Sequence, residues 1–370
     1  MPRTILFIFG TRPEAIKLCP LVQQLRRFPD LYSVKVCVTA QHRQMLDQVL
    51  AAFQIEPDFD LNVMAPDQTL LQSTAKILAA LEPVLAQTKP DLAVVQGDTT
   101  TTLCGALAAF YSGVPVAHVE AGLRTGDLQQ PFPEESNRVL VGRLARLHLA
   151  ATGQAAENLR REGIANGVYI TGNTGIDALL YVSDRREPKA PSGKRLILVT
   201  AHRRESFGPG FERICEALVR IAARDDVRIV YPVHPNPKVR AAVEQNLQSQ
   251  PNITLIEPLD YLPFVDLMRQ AYLILTDSGG IQEEGPSLGK PILVLREKTE
   301  RPEAVQAGTV KLVGTDPEKI VAETFRLLDD AAEYDRMSHR HNPYGDGHAC
   351  ERIELIFREF FGHTRAHLTV

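Results

Sequence analysis

No apolar run in this chain of 370 residues approaches the length of a membrane span. The longest, such as residues 92–95 and 292–295, are of strand length, whereas a spanning helix needs about 20 apolar residues. Charge of one sign is missing too: 41 Lys and Arg stand against 45 Asp and Glu, a formal net charge of -4. So mixed a surface gives no electrostatic footprint for DNA or RNA. The five cysteines, Cys19, Cys37, Cys104, Cys215 and Cys350, are scattered without metal-ligand spacing and read as reduced packing thiols. His118, His202 and His234 show neither close i, i+4 pairing nor H-E-x-x-H, so no metal is expected. The first turn lacks G-x-G-x-x-G, which argues against a Rossmann NAD site. The opening residues, Met1-Pro2-Arg3 running straight into Thr4-Ile5-Leu6, lack the layout of a signal peptide, and a cytoplasmic location is expected.

What is present is an alternation of short apolar runs with amphipathic helical stretches, the pattern of βαβ units on a parallel sheet. Strands are predicted over residues 4–9, 34–39, 92–96, 114–119 and 168–170. Helices are predicted between them over 14–27, 42–53, 69–87 and 101–111. A second cycle places strands over 196–200, 228–232, 254–256, 272–276, 291–295 and 309–312. Residues 184–194, with two prolines, a glycine and several charges, read as a linker. The expected fold is α/β, with two Rossmann-like doubly wound domains over 1–183 and 195–349. Ligand is expected in the interdomain cleft, at the carboxyl ends of both sheets. The tail, 350–370, carries helical periodicity over 350–361 and is expected to pack back on the first domain.

The candidate chemistry follows the strands. Arg12 and Lys17, at the turn after the first strand, suit an anion at a helix N-terminus or form a solvated pair. After the strand over 92–96 comes Gly97-Asp98-Thr99-Thr100-Thr101-Thr102, whose hydroxyls suit a capping turn facing a polar ligand. Asp98 there is a site carboxylate or a plain N-cap. Glu120 directly follows an apolar strand, and Glu134 with Glu135 opens a helix after Pro131-Phe132-Pro133. Asp98, Glu120 and Glu134 together form a carboxylate cluster suited to proton transfer. The second half supplies His202-Arg203-Arg204 and Asp277-Ser278-Gly279-Gly280, with Glu284 a turn later and Arg301 beyond. Ser278 to Gly280 lets backbone N–H groups approach a phosphate closely, and Glu284 can reach ribose hydroxyls.

Taken in order, Gly-Thr-Arg-Pro-Glu-Ala-Ile-Lys, Gly-Asp-Thr-Thr-Thr, His-Val-Glu-Ala-Gly-Leu-Arg-Thr, Pro-Glu-Glu-Ser-Asn-Arg, His-Arg-Arg-Glu-Ser-Phe-Gly, Asp-Ser-Gly-Gly-Ile-Gln-Glu-Glu and Glu-Arg-Pro-Glu form a recognisable set. The chain resembles the non-hydrolysing UDP-N-acetylglucosamine 2-epimerases from residue 4 to beyond 342–347. That resemblance implies a GT-B-like pair of domains, a homodimer, and cofactor-free interconversion of UDP-GlcNAc and UDP-ManNAc for cell-surface polysaccharide. It implies nucleotide contacts at Arg12, Lys17, His202, Phe264, Ser278, Gly279, Gly280, Glu284 and Arg301. Asp98, Glu120 and Glu134 would be its acid/base groups. A second, activating UDP-GlcNAc site would fall on Gln41, Gln44, Gln68, Glu135, Arg203 and His234. Two positions depart from the pattern: Asp67 stands where an Arg precedes the Gln, and Gln96 stands before Gly97 where His is common.

Inverting C2 of a sugar with no adjacent carbonyl points to loss of UDP from C1 as the C2 proton leaves, through 2-acetamidoglucal. Cations and amides would hold the departing diphosphate, with His202 among them, and carboxylates would move the proton. Three other readings share the UDP motifs: a GT-B glycosyltransferase, an epimerase of a related UDP-sugar, and a non-catalytic UDP-sugar sensor. A transferase or a sensor could dispense with the carboxylates.

Overall fold

The structure is a computed structural model that describes residues 1–39, 43–63, 68–185, 193–202, 208–299, 301–339 and 341–363, without the side chains of 43, 44 and 238. Most of the expected linker, 186–192, lies outside these residues. The chain divides into two compact units, Met1–Ala178 with Gly345–Val370, and Leu179–Tyr344.

The first unit begins β1 (Arg3–Phe9), α1 (Arg12–Arg26), β2 (Tyr32–Val38), α2 (Arg43–Ala52), β3 (Phe59–Asp60) and α3 (Leu70–Thr88). It continues with β4 (Leu92–Gln96), α4 (Thr100–Tyr111), β5 (Val116–Val119), α5 (Glu134–Leu144), β6 (Leu147–Ala150), α6 (Gly153–Arg161), β7 (Val168–Ile170) and α7 (Thr174–Asp184). The unit boundary falls within α7. Its seven strands are all parallel, in the order β3-β2-β1-β4-β5-β6-β7. Ile5 to Phe9 and Leu92 to Val95 are fully buried. Strands covered on both faces lose the polar alternation and read as unbroken apolar runs, which is why they were visible in the sequence. Each such side chain contributes about 1.5–3 kcal/mol of burial.

The second unit repeats the plan with β8 (Arg195–Thr200), α8 (Pro209–Ala222), β9 (Val227–Pro232), α9 (Pro237–Leu247), β10 (Ile253–Ile256), α10 (Tyr261–Gln270) and β11 (Leu273–Thr276). Then come α11 (Gly279–Glu284), β12 (Ile292–Val294), α12 (Pro302–Ala307), β13 (Val310–Leu312), α13 (Pro317–Asp329) and α14 (Ala331–Ser338). The order of its six parallel strands is β10-β9-β8-β11-β12-β13. In both sheets the order reverses beside the unit's first strand, between β1 and β4 and between β8 and β11. Open parallel sheets present their ligand-binding loops at the carboxyl ends flanking such a switch.

The last helix, α15 (Ala349–Phe360), packs on α1 within the first unit. Asp177 of α7 accepts from the backbone N–H groups of Ala349 at 3.2 Å and Cys350 at 2.8 Å, capping α15 from another helix. Farther along α15, Glu354 accepts from the Tyr32 hydroxyl at 3.1 Å and from Arg358 at 2.6 Å. Among the described residues no helix is long and apolar enough to cross a membrane.

Candidate active site

Two turns at the switch of the first sheet are tied together by one buried acid. Thr11 caps α1, and Glu14 completes the capping box by accepting from the backbone N–H groups of Gly10 at 3.0 Å and Thr11 at 2.7 Å. The other oxygen of Glu14 accepts from the hydroxyls of Thr99 at 2.7 Å and Thr102 at 3.1 Å. Burial raises the Glu14 carboxyl above the usual range, against the lowering effect of the hydrogen bonds from Thr11, Thr99 and Gly10. The threonine run therefore turns inward. Thr99 caps α4, Thr101 meets Thr39 at 2.9 Å, and Thr102 also lies 2.6 Å from the Gln96 carbonyl. The expectation that these hydroxyls face a ligand does not hold for these three, because a buried carboxylate and a strand end compete for them more strongly. Gly10 is fixed by the same crowding, since a Cβ there would meet the Thr39 hydroxyl at 1.9 Å.

With Thr99 as the cap, Asp98 is left to other partners. Arg138 of α5 pairs with its carboxylate at 2.5 Å, and the same guanidinium lies 3.3 Å from Glu135. Burial is the largest influence on Asp98 and raises its carboxyl; Arg138 opposes this, the Glu120 charge adds to it, and Lys17 subtracts. Glu120, just past β5, holds a left-handed backbone at φ 61 and receives Lys17 together with the Gln96 amide, the latter at 2.8 Å. A side chain held in that conformation by its surroundings is a frequent mark of a working site. The structure thus brings Asp98, Glu120, Lys17, Gln96 and Arg138 into one coupled group. Glu134 stands at the start of α5, one turn before Arg138, and Arg12 opens α1 half-buried. Among the described residues no hydrogen bond ties the Glu134 carboxylate to this group.

Behind the group, His118 of β5 and His148 of β6 stand opposite one another in register. His118 Nε2 lies 2.7 Å from the Gly97 carbonyl, and burial holds both imidazoles down to about 4.

In the second unit, the Asp277 carboxylate, fully buried, accepts from the His202 backbone N–H at 2.6 Å and lies 3.3 Å from His202 Nδ1. The His202 ring stacks on His234, with centroids 5.2 Å apart and planes 7° from parallel. Ser278 precedes α11, whose first residues are Gly279 and Gly280. A Cβ on Gly279 would lie 3.6 Å from the Arg301 guanidinium, so Arg301 borders this turn while it pairs with Glu283. Glu284 is partly exposed at the end of α11, and Phe264 lies half-buried in the first turn of α10.

Of the expected second nucleotide site, Gln41 and Arg203 lie outside the described residues, as do Asp67 and the side chain of Gln44. Gln68 donates to the Val63 carbonyl at 3.3 Å. Glu135 is buried and accepts from the backbone of Thr125 at 3.0 Å and Gly126 at 3.1 Å. Among the described residues no group of three or more His, Cys, Asp or Glu could hold a metal ion. The residues to which the sequence reading gave no role are Glu14, Gln96, Arg138 and Asp277. Two carried a signal: Thr11 with Glu14 is a capping-box spacing, and Arg138 falls four residues after Glu134.

Paired parallel α/β units of this kind, with acids at the strand ends of one and a Ser-Gly-Gly turn in the other, define the GT-B-like class of nucleotide-sugar enzymes. The family model for UDP-N-acetylglucosamine 2-epimerase matches residues 23–358. The UDP-N-acetylglucosamine 2-epimerase of Salmonella typhimurium is 58% identical over 371 residues, 96% of this chain and 98% of that protein. Among solved structures, the UDP-GlcNAc 2-epimerase of Neisseria meningitidis bound to UDP-GlcNAc is 46% identical with a TM-score of 0.86, over 96% of this chain and 100% of that one. The S. aureus MnaA–UDP structure is 47% identical with a TM-score of 0.87, over 98% of each chain. The chain belongs to the UDP-N-acetylglucosamine 2-epimerase family and is an enzyme of that activity.

Proposed function

We propose that the enzyme interconverts UDP-GlcNAc and UDP-ManNAc by eliminating and re-adding UDP. In the forward half, a carboxylate takes the C2 proton, the C2–H electron pair forms the C1=C2 bond, and the C1–O bond breaks with its electrons on UDP. 2-Acetamidoglucal and UDP stay bound. Return of a proton to the opposite face of C2, with attack of the UDP oxygen on C1, gives the epimer. The observation that carries this reading is the pair Asp98 and Glu120, electrostatically coupled at the ends of adjacent strands yet each with its own cation. Two carboxyl groups in contrasting environments are what proton removal and return require.

In this proposal Asp98, Glu120 and Glu134 serve the sugar. His202, Ser278, Gly279, Gly280 and Arg301 stabilise the leaving diphosphate together with Arg12 and Lys17. Glu284 holds the ribose and Phe264 flanks the base. The proposal extends to a second UDP-GlcNAc site on Gln41, Gln44, Gln68, Glu135, Arg203 and His234, and to supply of ManNAc units for cell-surface polysaccharide from the cytoplasm. A homodimer is supported by exposed apolar side chains on three neighbouring helices, Leu71 of α3, Phe110 and Tyr111 of α4, and Leu140 of α5.

Proton NMR of the protein with UDP-GlcNAc alone in D₂O tests the reading. UDP-ManNAc bearing deuterium at C2, with no NAD added, is the expected product. Epimer that keeps its original C2 proton would rule out exchange through a carboxylate, and no epimer at all would overturn the assignment.

A further inference from the structure

Asp277 does more than end a strand. Its carboxylate is fully buried, and it faces both the backbone and the ring of His202. One oxygen grips the His202 backbone N–H at 2.6 Å, and the other lies 3.3 Å from the ring nitrogen Nδ1. The frame around this pair is rigid. The Asp277 N–H donates to the Thr200 carbonyl at 3.0 Å, the Thr200 and Thr276 hydroxyls meet at 2.6 Å, and the buried Tyr231 hydroxyl donates to the Ala201 carbonyl at 2.6 Å. Both residues therefore leave paired strands, β8 and β11, with their backbones fixed side by side.

A carboxylate facing Nδ1 selects the imidazole form that carries its proton there and turns Nε2 outward. The neighbouring ring has the opposite preference. His234 Nδ1 accepts from the Asn236 backbone N–H at 3.1 Å, which places the His234 proton on Nε2. The two rings therefore stack with complementary proton positions, Nδ1 on His202 and Nε2 on His234.

We propose that Asp277 is the positioning residue that sets the tautomer and orientation of His202, so that Nε2 presents to the diphosphate and can be cationic as UDP leaves. This deepens the functional proposal above and rests on its reading of His202 as a diphosphate contact. Asp277→Asn is the discriminating variant, since it keeps shape and volume. The amide oxygen must continue to accept from the His202 backbone, leaving the amide N–H groups facing Nδ1. Nδ1 then has to accept, and the ring is held neutral with its proton on Nε2.

Nitrogen NMR of the whole protein labelled at histidine, with His202 assigned by its loss in His202→Gln, reads the tautomer directly. In the unmodified enzyme Nδ1 is expected to be the protonated nitrogen. In Asp277→Asn the proton moves to Nε2, and turnover falls on the order of 10²-fold while the UDP dissociation constant changes by less than about tenfold. An unprotonated Nδ1 in the unmodified enzyme overturns the proposal even if the variant does not fold. So does a folded Asp277→Asn that keeps the original tautomer, or one that keeps turnover within about threefold. Addition of UDP separates the two layers: if Nε2 does not respond while Nδ1 is protonated, the diphosphate reading of His202 fails and the role of Asp277 in fixing the ring stands.

Discussion

Asp98 and Glu120 follow neighbouring strands and feel each other's charge, yet they are held differently. Glu120 receives an ammonium and an amide, whereas Asp98 relies chiefly on the Arg138 guanidinium, with a smaller influence from Lys17, to offset burial and the charge of Glu120. Arg138 is therefore the residue on which the ionised form of Asp98 depends. Asp98 already titrates above the usual carboxylate range, so activity that needs it ionised is lost as pH falls through that raised value. Arg138→Gln removes a lowering influence and moves the acid limb of kcat/KM to higher pH. Asp98→Asn removes the limb together with most of the turnover while UDP binding is retained. Profiles of kcat/KM against pH for the two variants check this. An acid limb that stays in place in Arg138→Gln, or moves to lower pH, rejects the dependence of Asp98 on Arg138.

At the scale of elements, α15 is the clearest case of a segment held by one distant side chain. Two of its first backbone N–H groups are satisfied by Asp177, across more than 170 positions of sequence. Asp177→Ala leaves those groups without their acceptor and is expected to cost about 1–3 kcal/mol. Urea denaturation measures the loss, and hydrogen exchange should locate it in residues 349–360; unchanged protection there would show that α15 is held by its apolar face alone. No sequence pattern marks such a cap, because the partner comes from another helix. The same limit governs what else was legible. Buried parallel strands such as β1, β4 and β8 announce themselves as apolar runs, and their ends locate the site turns. β3 has two residues and β6 is broken by His148, so neither gave a run to read. Asp98, Glu120 and Lys17 were recognisable by type and by position after strands. Their pairing, the inward turn of Thr99, Thr101 and Thr102, and the gripping of His202 by Asp277 all depend on contacts between strands far apart in the chain. Periodicity carries no information about such contacts.

For the molecule as a whole, the two units differ in one titratable feature of their cores. His118 and His148 are buried side by side in the first sheet, each held by burial near 4, far below the ordinary histidine value. In the second unit His202 and His234 keep access to solvent. Between pH 6.5 and about 4 an unfolded first unit takes up protons on both imidazoles that the folded unit refuses, so its stability rises with pH across that window and is flat above it. Each histidine contributes about 1.4 kcal/mol per pH unit within the window. Glu14, Asp98 and Asp177, whose carboxyls burial raises, act with the opposite sign. The folded unit binds their protons first, which softens the loss toward the acid end. Calorimetric unfolding at pH 7.5, 6.5 and 5.5 should therefore show a transition that falls steeply only over the second interval. His118→Gln combined with His148→Gln should flatten that fall while leaving the pH 7.5 to 6.5 interval level. A slope of equal size in the double variant would reject the two imidazoles as the origin of the acid sensitivity and leave them as packing groups only.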